Sequence, residues 1–318
     1  MENNNPLVSV TVITYNSSRF VHETLESIKA QTYQNIELIV SDDCSTDDTN
    51  IIVGEWLNKN CERFVNTHHV MSPVNTGIPA NKNRAIRLCK GDWIKSIAGD
   101  DLLMPTCVEQ NIQETLVKPN YYIFLSDMLQ FHNSTEHKSR VMKPNFFHLP
   151  VNNKTLAEVQ HKFLLRSSFG NSPTLFIGRI VLLTLMPFNE KYRLIEDHPF
   201  ALKATIKGYS FSYFNKITVK YRVSNQSVFM SSGKTQLYNK FYIMKKSFDD
   251  DMILPNISLI ERVMFRIEFY RLKFIDEIGL NRRNFAGKFI YYTTKFFTPF
   301  YIYKLLLKNY YHLISKWL

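Results

Sequence analysis

Three acidic clusters hold the residues of this chain that could do chemistry: Asp42-Asp43, Asp100-Asp101 and Glu196-Asp197-His198. Two adjacent carboxylates after a flexible Gly99 can put one oxygen on a divalent cation beside a phosphate. Magnesium and manganese suit such sites, being held by one or two carboxylates plus substrate phosphates. A solvated turn or a helix N-cap would use the same residues. Asp42-Asp43 opens the run Asp-Asp-Cys-Ser-Thr-Asp. Capping and the helix dipole explain one acid there. A second carboxylate aimed into a cleft suits a base edge with an N–H donor, and uracil has one. In Arg193-Leu194-Ile195-Glu196-Asp197-His198-Pro199-Phe200 the apolar neighbours predict an acid pair half-buried at a helix start. Desolvation there favours general-base work; a plain helix cap is the alternative. His198 reads as a packing or supporting residue, because a lone His is a weak ligand signal.

Strand ends and helix starts must position these clusters. Leu7-Val8-Ser9-Val10-Thr11-Val12-Ile13 is a β-branched run of the kind buried on both faces of a sheet. Ser17 and Ser18 stand where they could cap a helix through Val21, Leu25 and Ile28. Residues 36–40 predict a second strand running into Asp42-Asp43. Ser45 and Asp48 then have capping-box spacing for a helix through Ile51 to Leu57. Residues 65–71 suggest a third strand, Asn75-Thr76-Gly77 a turn, and Asn81 to Cys89 a helix ended by Gly91. Residues 92–98 form a strand leading into Gly99-Asp100-Asp101. Strands alternating with helices predict an α/β fold with a mostly parallel central sheet and ligands at the strands' carboxyl ends. Residues 120–225 are mixed, and from about 255 the spacing of Leu259, Val263, Ile267 and Phe274 turns helical.

Composition narrows the classes. With 45% apolar and 21% charged residues over 318 positions, the chain has ordinary globular composition and length enough for a full core. Four cysteines without a CxxC pair, and a start without a basic and apolar leader, predict a reducing cytoplasm. Of the net charge of +11, residues 278–318 supply +7 and the rest only +4; that tail has no acid and twelve aromatics. A near-neutral body with no recognisable module argues against nucleic acid. No apolar stretch reaches the roughly 18 residues of a membrane span. The tail is instead expected to lie on an anionic membrane surface as amphipathic helices, with Lys304 and Lys308 beside Leu305, Leu306 and Leu307. Packing of these aromatics onto the main domain, or an oligomer interface, would use the same residues.

Taken in order, the motifs resemble family 2 glycosyltransferases. They are Pro6 to Val10, Thr14-Tyr15-Asn16, Gln31-Thr32-Tyr33 with Asn35 to Asp47, Asn75-Thr76-Gly77, Asn83, Gly91-Asp92-Trp93-Ile94, Gly99-Asp100-Asp101, Glu196-Asp197 and Tyr221-Arg222-x-Ser224. The resemblance covers residues 6–225. It implies a nucleotide-binding sandwich of the GT-A kind and an inverting, metal-dependent hexosyl- or N-acetylhexosaminyl-transferase using a nucleotide sugar, most often UDP-linked. By position it implies that Ile13, Thr14, Tyr15, Asn16 and Asp43 hold the uracil end of the donor. Lys82, Asn83, Asp100 and Arg222 would belong to the same donor site, Asp101 would bind Mn²⁺ or Mg²⁺, and Asp197 would be the base with Glu196 beside it. The family's Ala-Arg-Asn-x-Gly reads Asn81-Lys82-Asn83-Arg84-Ala85 here. Lys82 keeps a charge without the fork of Arg, and Arg84 could replace it only if turned inward.

The expected organisation is a catalytic domain over 1–254, with a nucleotide-binding half 1–105 and an acceptor-binding half 106–254. A helical, basic and aromatic extension follows over 255–318. The expected role is surface polysaccharide synthesis of the O-antigen kind on a saccharide acceptor, lipid-linked, at the inner face of the cell membrane. Two rivals are a nucleotidyltransferase, which would want a Gly-rich basic signature absent near Ile13 to Arg19, and an inactive membrane-peripheral binding protein on the same fold. Keeping Asp43, Asp101 and Asp197 together argues against the second.

Overall fold

Strand β1 (Val8–Thr14) is buried along almost all its length and β2 (Ile36–Asp42) along all of it, as a β-branched run covered on both faces should be. Their buried polar groups are paired across strands. Ser9 donates to Glu37 Oε1, which also accepts the Gly91 and Lys90 N–H groups, and the Thr11 and Ser96 hydroxyls bond each other. Left unpaired, each such group would cost about 1–3 kcal/mol. β1 lies parallel to β2 and to β4 (Trp93–Ala98), and β2 parallel to β3 (Thr67–Met71). The carboxyl ends of all four strands therefore share one edge.

These coordinates are a computed structural model describing residues 5–132, 135–145, 156–223, 240–281, 284–299, 301–303 and 306. The chain divides into two packing units, Met1–Phe147 with Phe169–Val223, and His148–Ser168 with Ser224–Leu318. Beyond β4 the first unit's sheet runs β8 (Phe176–Gly178), β6 (Ile123–His132), β9 (Phe211–Arg222) and β5 (Leu102–Leu103), with β7 (Thr135–Met142) on β6. β6 and β9 are parallel, while β8, β7 and β5 join antiparallel. The expected α/β architecture with a mostly parallel central sheet is what the chain adopts. The unit also holds α1 (Val21–Lys29), α2 (Thr49–Asn60), α3 (Ile78–Arg87), α4 (Cys107–Val117), α6 (Arg179–Leu185) and α7 (Asp197–Ile206). The second unit is helical: α5 (Leu156–Leu164), α8 (Lys240–Phe248), α9 (Leu259–Glu277) and α10 (Phe285–Phe296). Among the described residues no helix is long and apolar enough to cross a membrane.

Local starts and stops differ from the sequence expectation in three places. α1 has no side-chain cap; Ser17 serves through its carbonyl, which accepts the Val21 N–H at 2.9 Å. The capping box expected at Ser45 and Asp48 does not form. Ser45 turns back to the buried Asp42 carboxylate, whose need for donors outweighs a helix cap. α3 begins at Ile78, three residues early, because Gly77 at φ +96° ends the preceding turn and Pro79 suits a first helical turn. α9 does carry a capping box, between Ser258 and Glu261.

Candidate active site

Parallel register brings the strand-end acids to one place. Thr14 pairs with Asp42, and Ile13 with Ala98. Gly99 donates to the Ile13 carbonyl at 3.0 Å, and a Cβ there would stand 2.8 Å from Thr14 Cγ2; only glycine allows that approach. Asp101 is 2% exposed. Its Oδ1 accepts the Arg222 N–H at 2.8 Å, and Arg222 Nε donates to the Asp100 carbonyl at 2.7 Å. The guanidinium also pairs with Glu23 at 2.7 Å and lies between the Phe20 and Phe131 rings, 4.4 and 4.7 Å from their centroids. Arg222, expected at the donor, is thus a buried strap across the acid turn. Ser224 of the same motif lies outside the described residues.

Burial, reinforced by Asp100 next door, pushes the Asp101 carboxyl well above its ordinary range, and burial raises Asp100 too. Asp101 Oδ2 takes no hydrogen bond from a described residue. Arg222 and Lys95 offset this burial only in part, and a buried carboxylate pair with one oxygen spare fits a divalent cation. Among the described residues no group of three or more His, Cys, Asp or Glu converges, so substrate oxygens or water would complete the shell. Lys95 of β4 is the nearby cation that sequence reading passed over. It is fully buried, donates to the Pro173 carbonyl at 2.7 Å, and burial brings it down to about 8. A lysine inside the largely apolar Trp93–Ala98 strand was the available signal.

Asp42 and Asp43 do different work. Asp42 accepts from Thr14 Oγ1 (2.7 Å), Ser45 N and Oγ (2.8 and 2.5 Å) and Asn50 Nδ2 (2.9 Å). Burial pushes its carboxyl up, but these donors outweigh burial and hold it below its ordinary value. Asp43 faces the next loop, accepting from Thr76 N (3.0 Å), Thr76 Oγ1 (2.5 Å) and Gly77 N (2.7 Å), with Arg84 Nη2 at 3.5 Å. Asn16, left-handed at φ 49°, donates its N–H to Ser45 Oγ and accepts Thr46 N–H on its side chain, both at 2.8 Å. That bond pair leaves its neighbour Tyr15 half exposed above the edge, while Thr14 is buried on Asp42.

Helix α3 joins this edge to the third cluster. Lys82, expected at a diphosphate, is paired with Glu196 at 2.6 Å. Asn83 is fully buried and bonds the Phe188 carbonyl (3.0 Å), the Phe188 N–H (2.8 Å) and Glu190 (2.8 Å). The Arg193 carbonyl accepts Ile78 N–H at 2.9 Å, and its guanidinium grips Asn75 O and Oδ1 at 2.8 Å each. Residues 188–196 are therefore held by α3 and by the turn before it, and that turn also holds Asp43. Thr76 and Arg193 gain these roles only in three dimensions, although both stand inside motifs visible in the sequence. Arg84 does turn inward, to Ser41 Oγ (3.3 Å), Asn81 Oδ1 (3.0 Å) and Thr76 Oγ1 (3.0 Å). Asp197 opens α7, half-buried, with Oδ1 accepting the next N–H at 2.8 Å, and His198 is buried. Glu196 is neutralised by Lys82, so Asp197 is the acid of that pair left without a basic partner among the described residues.

Comparison with known proteins identifies the fold and the family. The family model "Glycosyl transferase family 2" matches residues 9–183. The chondroitin synthase of Escherichia coli is 28% identical over 246 residues, 76% of this chain but only 32% of that protein. Among solved structures, Staphylococcus aureus TarS residues 1–349 in complex with UDP-GlcNAc matches with TM-score 0.56 at 21% identity, covering 84% of this chain and 72% of that one. The mannosyltransferase PcManGT from Pyrobaculum calidifontis, in complex with GDP-Man and Mn²⁺, matches with TM-score 0.56 at 16% identity, covering 98% and 86%.

Proposed function

The chain belongs to glycosyl transferase family 2, and on that premise we propose an inverting transferase that moves a hexosyl or N-acetylhexosaminyl unit from a UDP-sugar to a saccharide hydroxyl. The observation carrying this reading is the set of bonds from α3 and its leading turn. Lys82 to Glu196, Asn83 to Phe188 and Ile78 to Arg193 hold the Asp197 loop at the edge where β1, β2 and β4 end. Asp43 offers an acceptor to the N–H edge of uracil, with Ile13, Thr14, Tyr15 and Asn16 around it. Asp100 and Asp101 face the diphosphate, and Asp101 would hold Mn²⁺ or Mg²⁺. When bound, that ion would supply Lewis-acid neutralisation of the leaving group. Asp197 takes the proton of the acceptor hydroxyl as that oxygen bonds the anomeric carbon and the sugar–phosphate bond breaks. Attack opposite the leaving group inverts the centre, through an oxocarbenium-like state. Lys82 orients Glu196 and so keeps Asp197 the free base.

A polysaccharide-making relative supports surface polysaccharide synthesis, of the O-antigen kind, as the setting. The basic aromatic stretch 278–318 supports a lipid-linked acceptor at the inner membrane face. The catalytic domain proposed over 1–254 is a functional division; the packing units cut the chain elsewhere. The test is a screen of UDP-Glc, UDP-Gal, UDP-GlcNAc and UDP-GalNAc with and without Mn²⁺. UDP release is expected from one of them and only with metal. Turnover of GDP-sugars alone would overturn the uracil assignment, and undiminished turnover in chelator would overturn the metal.

A further inference from the structure

We propose that α9 and α10 together form a lipid-facing surface for anionic membranes; this rests on the membrane reading of residues 278–318 and extends it to α9. α9 buries Leu272, Ile275 and Glu261. On another face Ile260, Val263, Ile267, Tyr270 and Phe274 recur at three- and four-residue steps and are 41–69% exposed. A helix apolar on two faces is expected to have two partners, and this stripe spans about 20 Å at 1.5 Å per residue. On α10, Phe285, Phe289, Tyr292 and Phe296 repeat the spacing and are 60–85% exposed.

The two helices are fixed to each other by other side chains. Arg271 donates to Thr294 Oγ1 at 2.7 Å, lies 5.2 Å over the Tyr291 ring and pairs with Glu268. Apart from α10, Glu261 of α9 accepts from Arg166 (2.7 Å) and from Tyr303 (2.6 Å). The stripes are therefore not the surfaces that join α9 to α10. Charge selects the occupant. All four acids of α9 are engaged: Glu261 with Arg166, Glu268 with Arg271, Asp276 with Asn281 and Glu277 with Lys273. Arg266 and Lys288 stay exposed, and no acid follows Ile278. Apolar and aromatic side chains rimmed by outward positive charge complement acyl chains beneath anionic headgroups. A second copy would meet like charge.

The test is co-sedimentation of the full-length protein with phosphatidylcholine vesicles, with and without phosphatidylglycerol, together with UDP-sugar turnover. Ile267→Glu/Tyr270→Glu/Phe274→Glu should weaken binding to anionic vesicles by about tenfold or more, leaving turnover and melting unchanged because the positions are exposed. If that variant binds like wild type while Phe289→Glu/Tyr292→Glu/Phe296→Glu does not, α9 is excluded and the reading of the tail stands. If wild type ignores anionic vesicles at low salt, both fail, whatever the turnover shows. If the α9 variant keeps its vesicle binding but changes from dimer to monomer in sedimentation, the stripe joins copies of the chain and the proposal is overturned.

Discussion

At the scale of single residues, the division of labour among Asp42, Glu196, Asp101 and Asp197 follows from who already holds a donor. Asp43, held by Thr76 and Gly77, is instead assigned to uracil by its place at the strand end. Asp42 is saturated by Thr14, Ser45 and Asn50; Glu196 is spent on Lys82. Asp101 keeps Oδ2 open, and Asp197 has no cation beside it among the described residues. We expect Asp197→Asn to lower kcat by about 10²–10⁴, the usual worth of a positioned base, with UDP-sugar affinity little changed. Turnover within a few-fold of wild type would pass the base role to Glu196. Asp101→Asn should abolish the metal-dependent part of UDP binding in calorimetry with Mn²⁺ while leaving the melting temperature at or above that of wild type. The stability expectation follows from burial: the substitution removes a carboxylate that burial already disfavours.

At the scale of elements, the turn before α3 depends on a glycine. Gly77 sits at φ +96°, and a Cβ there would come within 2.9 Å of the Arg193 carbonyl. Gly77→Ala should destabilise by about 1–3 kcal/mol. It should also weaken UDP binding, since the Gly77 N–H holds Asp43; a chemical melt with unchanged midpoint would refute this. In the helical unit, Glu261 joins the α9 cap to Arg166 and Tyr303. Burial pushes its carboxyl up, but Tyr303, Ser258 and Arg166 outweigh burial and bring it from 4.5 to about 2. A depressed carboxyl contributes stability above its unfolded value and loses it as pH falls through the folded one. Glu261→Gln should therefore be less stable than wild type at neutral pH. The gap should close as pH falls from about 4.5 to about 2, read by denaturant melts across that window.

For the molecule as a whole, every residue proposed to hold donor or base falls in the unit built from Met1–Phe147 and Phe169–Val223. A chain ending near Asp276 should therefore bind UDP as the full chain does while losing affinity for anionic vesicles, because α10 and the basic tail are gone. Loss of UDP binding in that chain would make the tail part of the transferase fold. Of the tail, Phe300, Lys304, Leu305, Leu307, Lys308, Tyr310, Tyr311 and Trp317 lie outside the described residues, so the basic edge expected at Lys304 and Lys308 stays a sequence expectation.

The alternation of β-branched runs with helical spacing was enough to determine the α/β class, the four parallel strands and the strand-end acids, because strand burial and helix periodicity are local properties written into neighbouring side chains. The acid clusters themselves were legible for the same reason. Which acid is spare was not, because that depends on donors distant in the chain. Arg222 reaches back 121 residues to Asp101 and Lys82 forward 114 to Glu196, contacts that no local spacing encodes. The capping box at Ser45 read correctly as a pattern and lost to a buried carboxylate needing donors more. The exposed stripe of α9 was likewise decided only by tertiary packing: sequence spacing marks an apolar helix, but which of its faces finds a neighbour is settled by the rest of the chain.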